Sequence, residues 1–264
     1  MIGLGSYSFF WEQSDKNPKA LSLDEVFTRT VDLGLNLFQI CDYEPLERMS
    51  GSELTEAADC ARDLGLEIEL GTKGIEPARL AKFLELAKVF DSKLVRSMTN
   101  NQTSKPGNTE VIQILSQALR PYEDAGVVLA LETYEQISSS ELVEIVSTVD
   151  SPNLGICLDP ANVVANLEQP KHCIELCAPY VKNIHAKDFA FNRQEGWVGF
   201  SYSGAVMGEG LHDYPNLISI VKPRQRGINE IVEHWLPWQG SIEKSVEAEK
   251  QWTQIAIEYL RSVK

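Results

Sequence analysis

The stretch LGICLDPAN, residues 154–162, holds an apolar run that stops abruptly at a carboxylate. Residues 154–158 are apolar or small, which is typical of a strand buried in a core. Asp159 and Pro160 follow it directly. A buried carboxylate is unfavourable unless a cation or a hydrogen-bond donor meets it. The stretch therefore predicts a core strand whose carboxyl end carries a side chain with a specific partner.

The same unit recurs along the chain, as a short β-rich run followed by a turn and an amphipathic helical segment. Such alternation predicts a parallel sheet with right-handed crossovers. An open dinucleotide-binding sheet would carry a glycine-rich turn after its first strand, whereas this chain has the aromatic segment GSYSFFWE there. We therefore predict a single-domain α/β protein, a (β/α)8 TIM barrel over residues 1–264, with strands at 2–8, 36–41, 67–71, 93–98, 127–132, 154–159, 181–185 and 227–233.

Composition and charge narrow the classes of partner. The 264 residues are 43% hydrophobic and 23% charged, as in an ordinary globular protein, and carry a formal net charge of -14. That charge would repel nucleic acids and anionic membranes. The first residues lack a basic secretory region, and no apolar run is long enough to span a bilayer. We expect a cytoplasmic protein with its five cysteines reduced.

Four of the predicted strands end in side chains that commonly bind metals. Strands five to eight lead to Glu132, Asp159, His185 and Glu233, and the carboxyl ends of barrel strands carry the active site in this fold. Three carboxylates at one barrel mouth would repel each other unless a cation joined them. One carboxylate alone is as easily a helix cap or a partner of a nearby cation, but four such residues on consecutive strands favour one divalent ion, Mn²⁺ or Mg²⁺, with Co²⁺ as a further option.

The segments LALETYEQ, LGICLDPAN, KNIHAKDF and VEHWLPWQG occur in the order found in the xylose-isomerase-like TIM barrel superfamily, and the chain resembles it over essentially its whole length. That group includes sugar isomerases, ketose epimerases, inosose dehydratases, keto-sugar-acid decarboxylases and abasic-site endonucleases. The resemblance implies the same barrel, a small sugar or sugar-acid substrate, and metal ligation by the four strand-end residues named above.

The chain also departs from two of these subfamilies. Asn162 stands where ketose epimerases usually have a second histidine, three residues after the aspartate. Lys187 follows the strand-seven histidine where they carry an arginine, and Arg193 comes only later. Both departures count against an epimerase of free ketoses. An endonuclease would need a histidine-rich cluster of three metals, whereas this chain has four histidines in all and an acidic charge.

Several polar residues near the barrel mouth are candidate substrate contacts. Lys187 is two residues after His185 and so faces the same side of its strand; a salt bridge at the rim is an equally good interpretation. Arg96 is unusual in a core strand unless it is paired, which makes it a candidate anion contact. Tyr7 lies in an aromatic segment that could line the pocket or simply pack the barrel top. Asn162 completes the predicted substrate-binding set.

These residues support three hypotheses. The first is a metal-dependent sugar isomerase or epimerase that works through a stabilised enediolate, with Glu132, Glu233 and Lys187 as catalytic acid–base residues. The second, a close alternative, is a carbon–carbon or carbon–oxygen lyase, a decarboxylase or dehydratase of a keto-sugar acid such as 3-oxo-isoapionate. The third is a non-catalytic sugar-binding barrel or a subunit of a complex. A homo-oligomer fits any of them, because residues 242–263 predict a long helix that could cover the barrel or form a dimer contact.

Overall fold

Eight parallel strands close into a barrel in the computed structural model, which describes residues 1–194, 196 and 198–263. In chain order the strands are β1 Ile2–Gly5, β2 Leu37–Cys41, β3 Glu67–Gly71, β4 Leu94–Ser97, β5 Val128–Glu132, β6 Leu154–Leu158, β7 Val181–Ala186, β8 Asp188–Arg193, β9 Phe200–Ala205 and β10 Asn229–Val232. Around the barrel the order is β1, β10, β7, β6, β5, β4, β3 and β2, and β1 pairs with both β2 and β10. The predicted (β/α)8 fold is confirmed.

Helices connect the barrel strands, and three of them begin with the same hydrogen-bonded motif. Ser22, Ser50 and Ser138 each cap a helix through a reciprocal bond with a glutamate three residues later. This capping box satisfies two backbone N–H groups that have no partner within the helix. The helices are α1 Leu23–Asp32, α2 Gly51–Asp63, α3 Pro77–Val89, α4 Asn108–Ala118, α5 Arg120–Ala125, α6 Ser139–Val149, α7 Pro170–Cys177, α8 Tyr214–Val221, α9 Pro223–Arg226 and α10 Ile242–Ser262.

The first strand is shorter than the sequence pattern predicts. The predicted strand 2–8 ends at Gly5, and the chain turns into a 3-10 helix, Ser6–Phe9. The turn is stabilised because the Ser8 hydroxyl donates to the carbonyl of Val232, 2.6 Å away, and the Phe9 ring is buried. The aromatic segment therefore folds back across the barrel top, which brings Tyr7 to its rim.

An antiparallel hairpin follows the seventh barrel strand and was not expected from the sequence. Strands β8 and β9 pair with each other as a separate two-stranded sheet. The Tyr202 hydroxyl of β9 donates to the carbonyl of Ala161, 2.6 Å away, which attaches the hairpin to the loop after β6. Within the described residues, none of the helices is long and apolar enough to cross a membrane.

Candidate functional site

The four strand-end residues meet at one end of the barrel, and all four are buried. Glu132 closes β5, Asp159 follows β6, His185 lies in β7, and Glu233 follows β10. The Nδ1 atom of His185 lies 3.3 Å from Glu132 Oε1, 3.4 Å from Glu233 Oε2 and 3.8 Å from Asp159 Oδ2. The imidazole is therefore at the centre of three carboxylates. We call these four residues the acidic cluster.

The acidic cluster has the donor set and spacing of a divalent metal site. Glu132, Asp159 and His185 each offer one ligand atom, and these atoms lie within 4.8 Å of one another. Glu233 Oε1 is buried and has no hydrogen-bond partner among the described residues, so it is an oxygen atom with no assigned contact that could bind a metal. Oxygen donors with one imidazole suit Mn²⁺ or Mg²⁺. The residues present fit such an ion.

Lys187 is buried inside the cluster instead of reaching out to the rim. Its Nζ atom lies 2.7 Å from Asp159 Oδ2 and 2.9 Å from Glu233 Oε2. The ammonium group also lies 4.4 Å from the centre of the Trp235 ring, in cation–π contact. Strand alternation correctly predicts that Lys187 and His185 lie on the same side of the chain. Lys187 forms salt bridges in this structure, which is one of the two interpretations that the sequence allows. Any role toward a substrate remains a prediction.

Asp159 combines the two roles that the sequence left open. Its Oδ1 atom accepts the backbone N–H groups of Ala161 and Asn162, at 3.1 and 3.3 Å, and so caps the turn that follows β6. Its other oxygen, Oδ2, faces the Lys187 ammonium group. The hydroxyl of Thr133 fixes the strand end further, because it accepts the N–H of Asp159 and donates to its carbonyl. One carboxylate oxygen is thus structural and the other is directed into the site.

Glu132 is held by one cationic group and one amide donor. The Arg96 guanidinium forms an ion pair with its Oε2 atom, and Asn162 Nδ2 donates to Oε1 at 2.7 Å. Arg96 also donates to the carbonyl of Thr72, 3.0 Å away. Arg96 and Asn162, both predicted to bind substrate, thus direct their polar groups at Glu132 in this structure. Their contact with a substrate is untested.

Burial and charge pull the pKa values of the cluster in opposite directions. Burial raises the pKa of Glu132, but the charges of Arg96 and His185 outweigh it and hold the pKa below the ordinary range. Burial raises the pKa of Asp159 to about 6, opposed by Lys187 and assisted by the charge of Glu132. For His185, burial lowers the pKa, yet the nearby carboxylates produce a net rise. The protonation state of each group in the cluster is therefore set by its charged neighbours as well as by its burial.

Open space lies at the barrel rim, around the residues that follow β2. Two cavities of about 460 and 440 Å³ both border Asp42, the residue that follows β2. Asp42 accepts a hydrogen bond from the Tyr7 hydroxyl at 3.0 Å and pairs with Lys73 at 2.9 Å. It also has a positive φ of 54°, which is uncommon outside glycine. Asp42 was not among the predicted site residues, although it follows a core strand just as Asp159 does.

Comparisons with known proteins agree with this geometry. A family model described as xylose isomerase-like TIM barrel matches residues 27–263. A protein of Pectobacterium atrosepticum named 3-oxo-isoapionate decarboxylase is 46% identical over 259 residues, which span 98% of this chain and 94% of that protein.

Two solved structures share the fold at low sequence identity. A D-psicose 3-epimerase from Clostridium cellulolyticum, determined with D-tagatose, superposes with a TM-score of 0.75 at 15% identity, covering 99% of this chain and 98% of that one. A Mycobacterium smegmatis protein determined in complex with magnesium superposes with a TM-score of 0.70 at 16% identity, covering 97% and 96%. These likenesses support the barrel architecture alone.

Proposed function

The chain belongs to the xylose isomerase-like TIM barrel family, and from that premise we propose that it decarboxylates a 3-oxo sugar acid. The observation that carries the proposal is the 46% identity, over 98% of this chain, to a protein named 3-oxo-isoapionate decarboxylase. The sequence patterns alone ranked a sugar isomerase or epimerase ahead of a lyase. The similarity reverses that order, because the epimerase relative shares only 15% identity.

The contacts of Glu132 are also more compatible with a lyase than with an isomerase, whereas Glu233 keeps one oxygen, Oε1, without a hydrogen-bond partner among the described residues. An isomerase or epimerase needs a carboxylate that is free to take a proton from carbon. Glu132 is instead bonded to Arg96 and Asn162, and its lowered pKa makes it a weak base. Glu233 Oε2 is paired with Lys187. Loss of CO2 requires no proton abstraction from carbon, so these contacts are compatible with a decarboxylase.

The proposed reaction uses the buried cations of the site. The bond between the carboxylate carbon and the α-carbon breaks, CO2 leaves, and the electron pair passes to the ketone oxygen through the α-carbon. A proton then returns to the α-carbon to give the ketone. We assign the proton donor as Lys187, whose ammonium group is held inside the site by contacts with Asp159 and Glu233. Solvent restores the proton. The positive charge of Arg96 helps to attract the acidic substrate.

We propose that Glu132, Asp159, His185 and Glu233 hold one divalent ion, Mn²⁺ or Mg²⁺, with Co²⁺ as a further option. Such an ion would supply the Lewis acidity that draws electron density onto the ketone oxygen during the loss of CO2. The proposal is supported by the donor set and by the buried oxygen of Glu233 that has no assigned contact. Elemental analysis after reconstitution, with Asp159→Ala as the control, measures both the stoichiometry and the preferred ion.

The test is turnover in D2O with the Mn²⁺-reconstituted protein. With 3-oxo-isoapionate we expect CO2 release and one deuterium at the α-carbon of the product, because a single proton is delivered there. Lys187→Met should lose turnover while it still binds Mn²⁺. The metal-loaded protein could instead release no CO2 and exchange deuterium into a neutral ketose. That result would refute the decarboxylase proposal and favour the isomerase hypothesis again.

The remaining alternatives predict other outcomes of the same experiment. A dehydratase would release water from the sugar acid and leave its carboxylate intact. A non-catalytic sugar-binding barrel would bind the acid without turnover after metal reconstitution. We further propose a cytoplasmic location. We also propose assembly into a homo-oligomer, and light scattering of the purified protein measures the mass of that assembly directly.

A further inference from the structure

The barrel interior beneath the acidic cluster is polar, and a connected set of hydrogen bonds runs through it. Gln39 of β2, Glu69 of β3 and Asn183 of β7 are all buried, and the half-buried Asn229 of β10 joins them. We call these four residues the barrel-axis network. Its upper end touches the cluster, because Gln39 Oε1 lies 2.8 Å from His185 Nε2. The network therefore contacts the imidazole on the side opposite to the carboxylates.

The contacts of Glu69 determine which way the Gln39 amide points. Gln39 Nε2 donates to Glu69 Oε2 at 3.0 Å and to Asn183 Oδ1 at 3.2 Å. Asn183 Nδ2 and Asn229 Nδ2 also donate to the Glu69 carboxylate, at 2.9 and 2.7 Å. If the Gln39 amide were reversed, its oxygen would face Glu69 Oε2 and Asn183 Oδ1. All three oxygens would then be acceptors with no hydrogen between them. Such unpaired buried polar groups are unfavourable, so the carbonyl oxygen must face His185.

This orientation fixes the proton on the far side of the imidazole. A carbonyl oxygen accepts a hydrogen bond, so His185 Nε2 must carry a hydrogen. The lone pair that remains for binding a cation then belongs to Nδ1, the atom that faces Glu132, Glu233 and Asp159. Outer partners of this kind orient histidine ligands and raise their affinity for metals.

We propose that Gln39, held in place by Glu69 and Asn183, is a positioning residue that prepares His185 Nδ1 as a metal ligand. The inference rests on the proposed metal site and adds to it a role for residues that touch neither metal nor substrate. Loss of an outer partner of a histidine ligand typically weakens metal binding by about 10- to 100-fold. We expect a loss in that range when the Gln39 carbonyl is removed.

The experiment compares Gln39→Met with a control that loses a buried hydrogen bond elsewhere. Methionine keeps the length of the side chain and removes the strong acceptor. Tyr214→Phe removes the bond from the Tyr214 hydroxyl to Glu230 Oε2, 2.6 Å long, between α8 and β10. Mn²⁺ dissociation constants from electron paramagnetic resonance should rise about 10- to 100-fold in Gln39→Met and stay at the wild-type value in Tyr214→Phe. Equal affinities in all three proteins, or equal weakening in both variants, would overturn the proposal.

A second measurement works without metal and without activity. In metal-free protein labelled with ¹⁵N-histidine, we expect the Nε2 nitrogen of His185, assigned with His185→Gln, to be protonated and slow to exchange with solvent. The exchange should accelerate in Gln39→Met and, to a smaller extent, in Glu69→Gln, the variant to use if Gln39→Met does not fold. An unprotonated Nε2 in the wild type would refute the inference. A protonated, protected Nε2 in a protein that binds no Mn²⁺ would support the positioning contact and refute the proposed metal-dependent function instead.

Discussion

Replacing Lys187 by methionine should destabilise the metal-free protein and strengthen its response to metal. The Lys187 side chain is 4% exposed, and its ammonium group contacts Asp159 Oδ2 at 2.7 Å and Glu233 Oε2 at 2.9 Å. Removing one partner of a buried ion pair typically costs about 3–5 kcal/mol, because the other partner stays buried and charged. For a chain of this size we expect a fall in melting temperature of roughly 10 °C.

The assay is thermal unfolding with and without Mn²⁺, and Lys73 provides the matched control. Lys73 forms an ion pair of similar length, 2.9 Å to Asp42 Oδ2, but its side chain is 43% exposed. Lys73→Met should therefore cost only about 0–1 kcal/mol. Mn²⁺ should raise the melting temperature of Lys187→Met by more than that of the wild type, since the cluster has lost a competing positive charge.

Two results would refute this reasoning. The ion pairs would be energetically unimportant if Lys187→Met lost no more stability than Lys73→Met in the absence of metal. Mn²⁺ could also raise the melting temperatures of Lys187→Met and of the wild type equally. That result would refute the idea that the metal and the Lys187 ammonium group use the same carboxylates. In that case the metal and the ammonium group would not depend on the same oxygens.

Two further predictions concern segments that hold the site in place. Glu249 accepts the N–H groups of Trp11 and Glu12, both at 2.9 Å, and burial raises its pKa to about 8. The folded chain therefore keeps a proton on Glu249 that the unfolded chain loses above the ordinary pKa of 4.5. The free energy of unfolding should for this reason fall as pH rises from about 5 to 8. In urea unfolding, Glu249→Gln should make that free energy less dependent on pH. Gly210→Ala would place a Cβ 2.2 Å from Asp188 Oδ1, which accepts the backbone N–H groups of Phe189 and His212. We expect a loss of about 1–3 kcal/mol in the same assay, and an unchanged midpoint would show that the loop can move away.

The sequence predicts the barrel well because its pattern is periodic and its strand ends are chemically distinct. An apolar run followed by a carboxylate or an imidazole marks the carboxyl ends of β5, β6, β7 and β10, and neighbouring parallel strands must bring those ends together. The convergence of Glu132, Asp159, His185 and Glu233 therefore follows from topology. Gly34, Gly65 and Gly126, each just after a helix, adopt positive φ values between 65° and 74°, as glycines at helix C-termini commonly do.

The sequence does not predict where long side chains fold back. Lys187 faces inward, as alternation requires, yet only packing decides that its ammonium group lies between two carboxylates. The hairpin of β8 and β9 was missed because it interrupts the regular alternation of strand and helix. The barrel-axis network had a readable signal, since Gln39 is the one polar residue in the apolar run LFQIC, and Glu69 and Asn183 are polar residues within core strands. Such residues in a barrel interior must find partners across it.

The contact between Lys187 and Trp235 gives the protein an internal optical probe. The indole ring lies 4.4 Å from the ammonium group and 5.6 Å from the Tyr202 ring, so it contacts both the charge of Lys187 and the hairpin. A metal or an acidic ligand that moved the ammonium group would change the electric field across the ring and would therefore shift its fluorescence emission. Ligand arrival can thus be followed in real time with the unlabelled protein, and Trp235→Phe removes the signal.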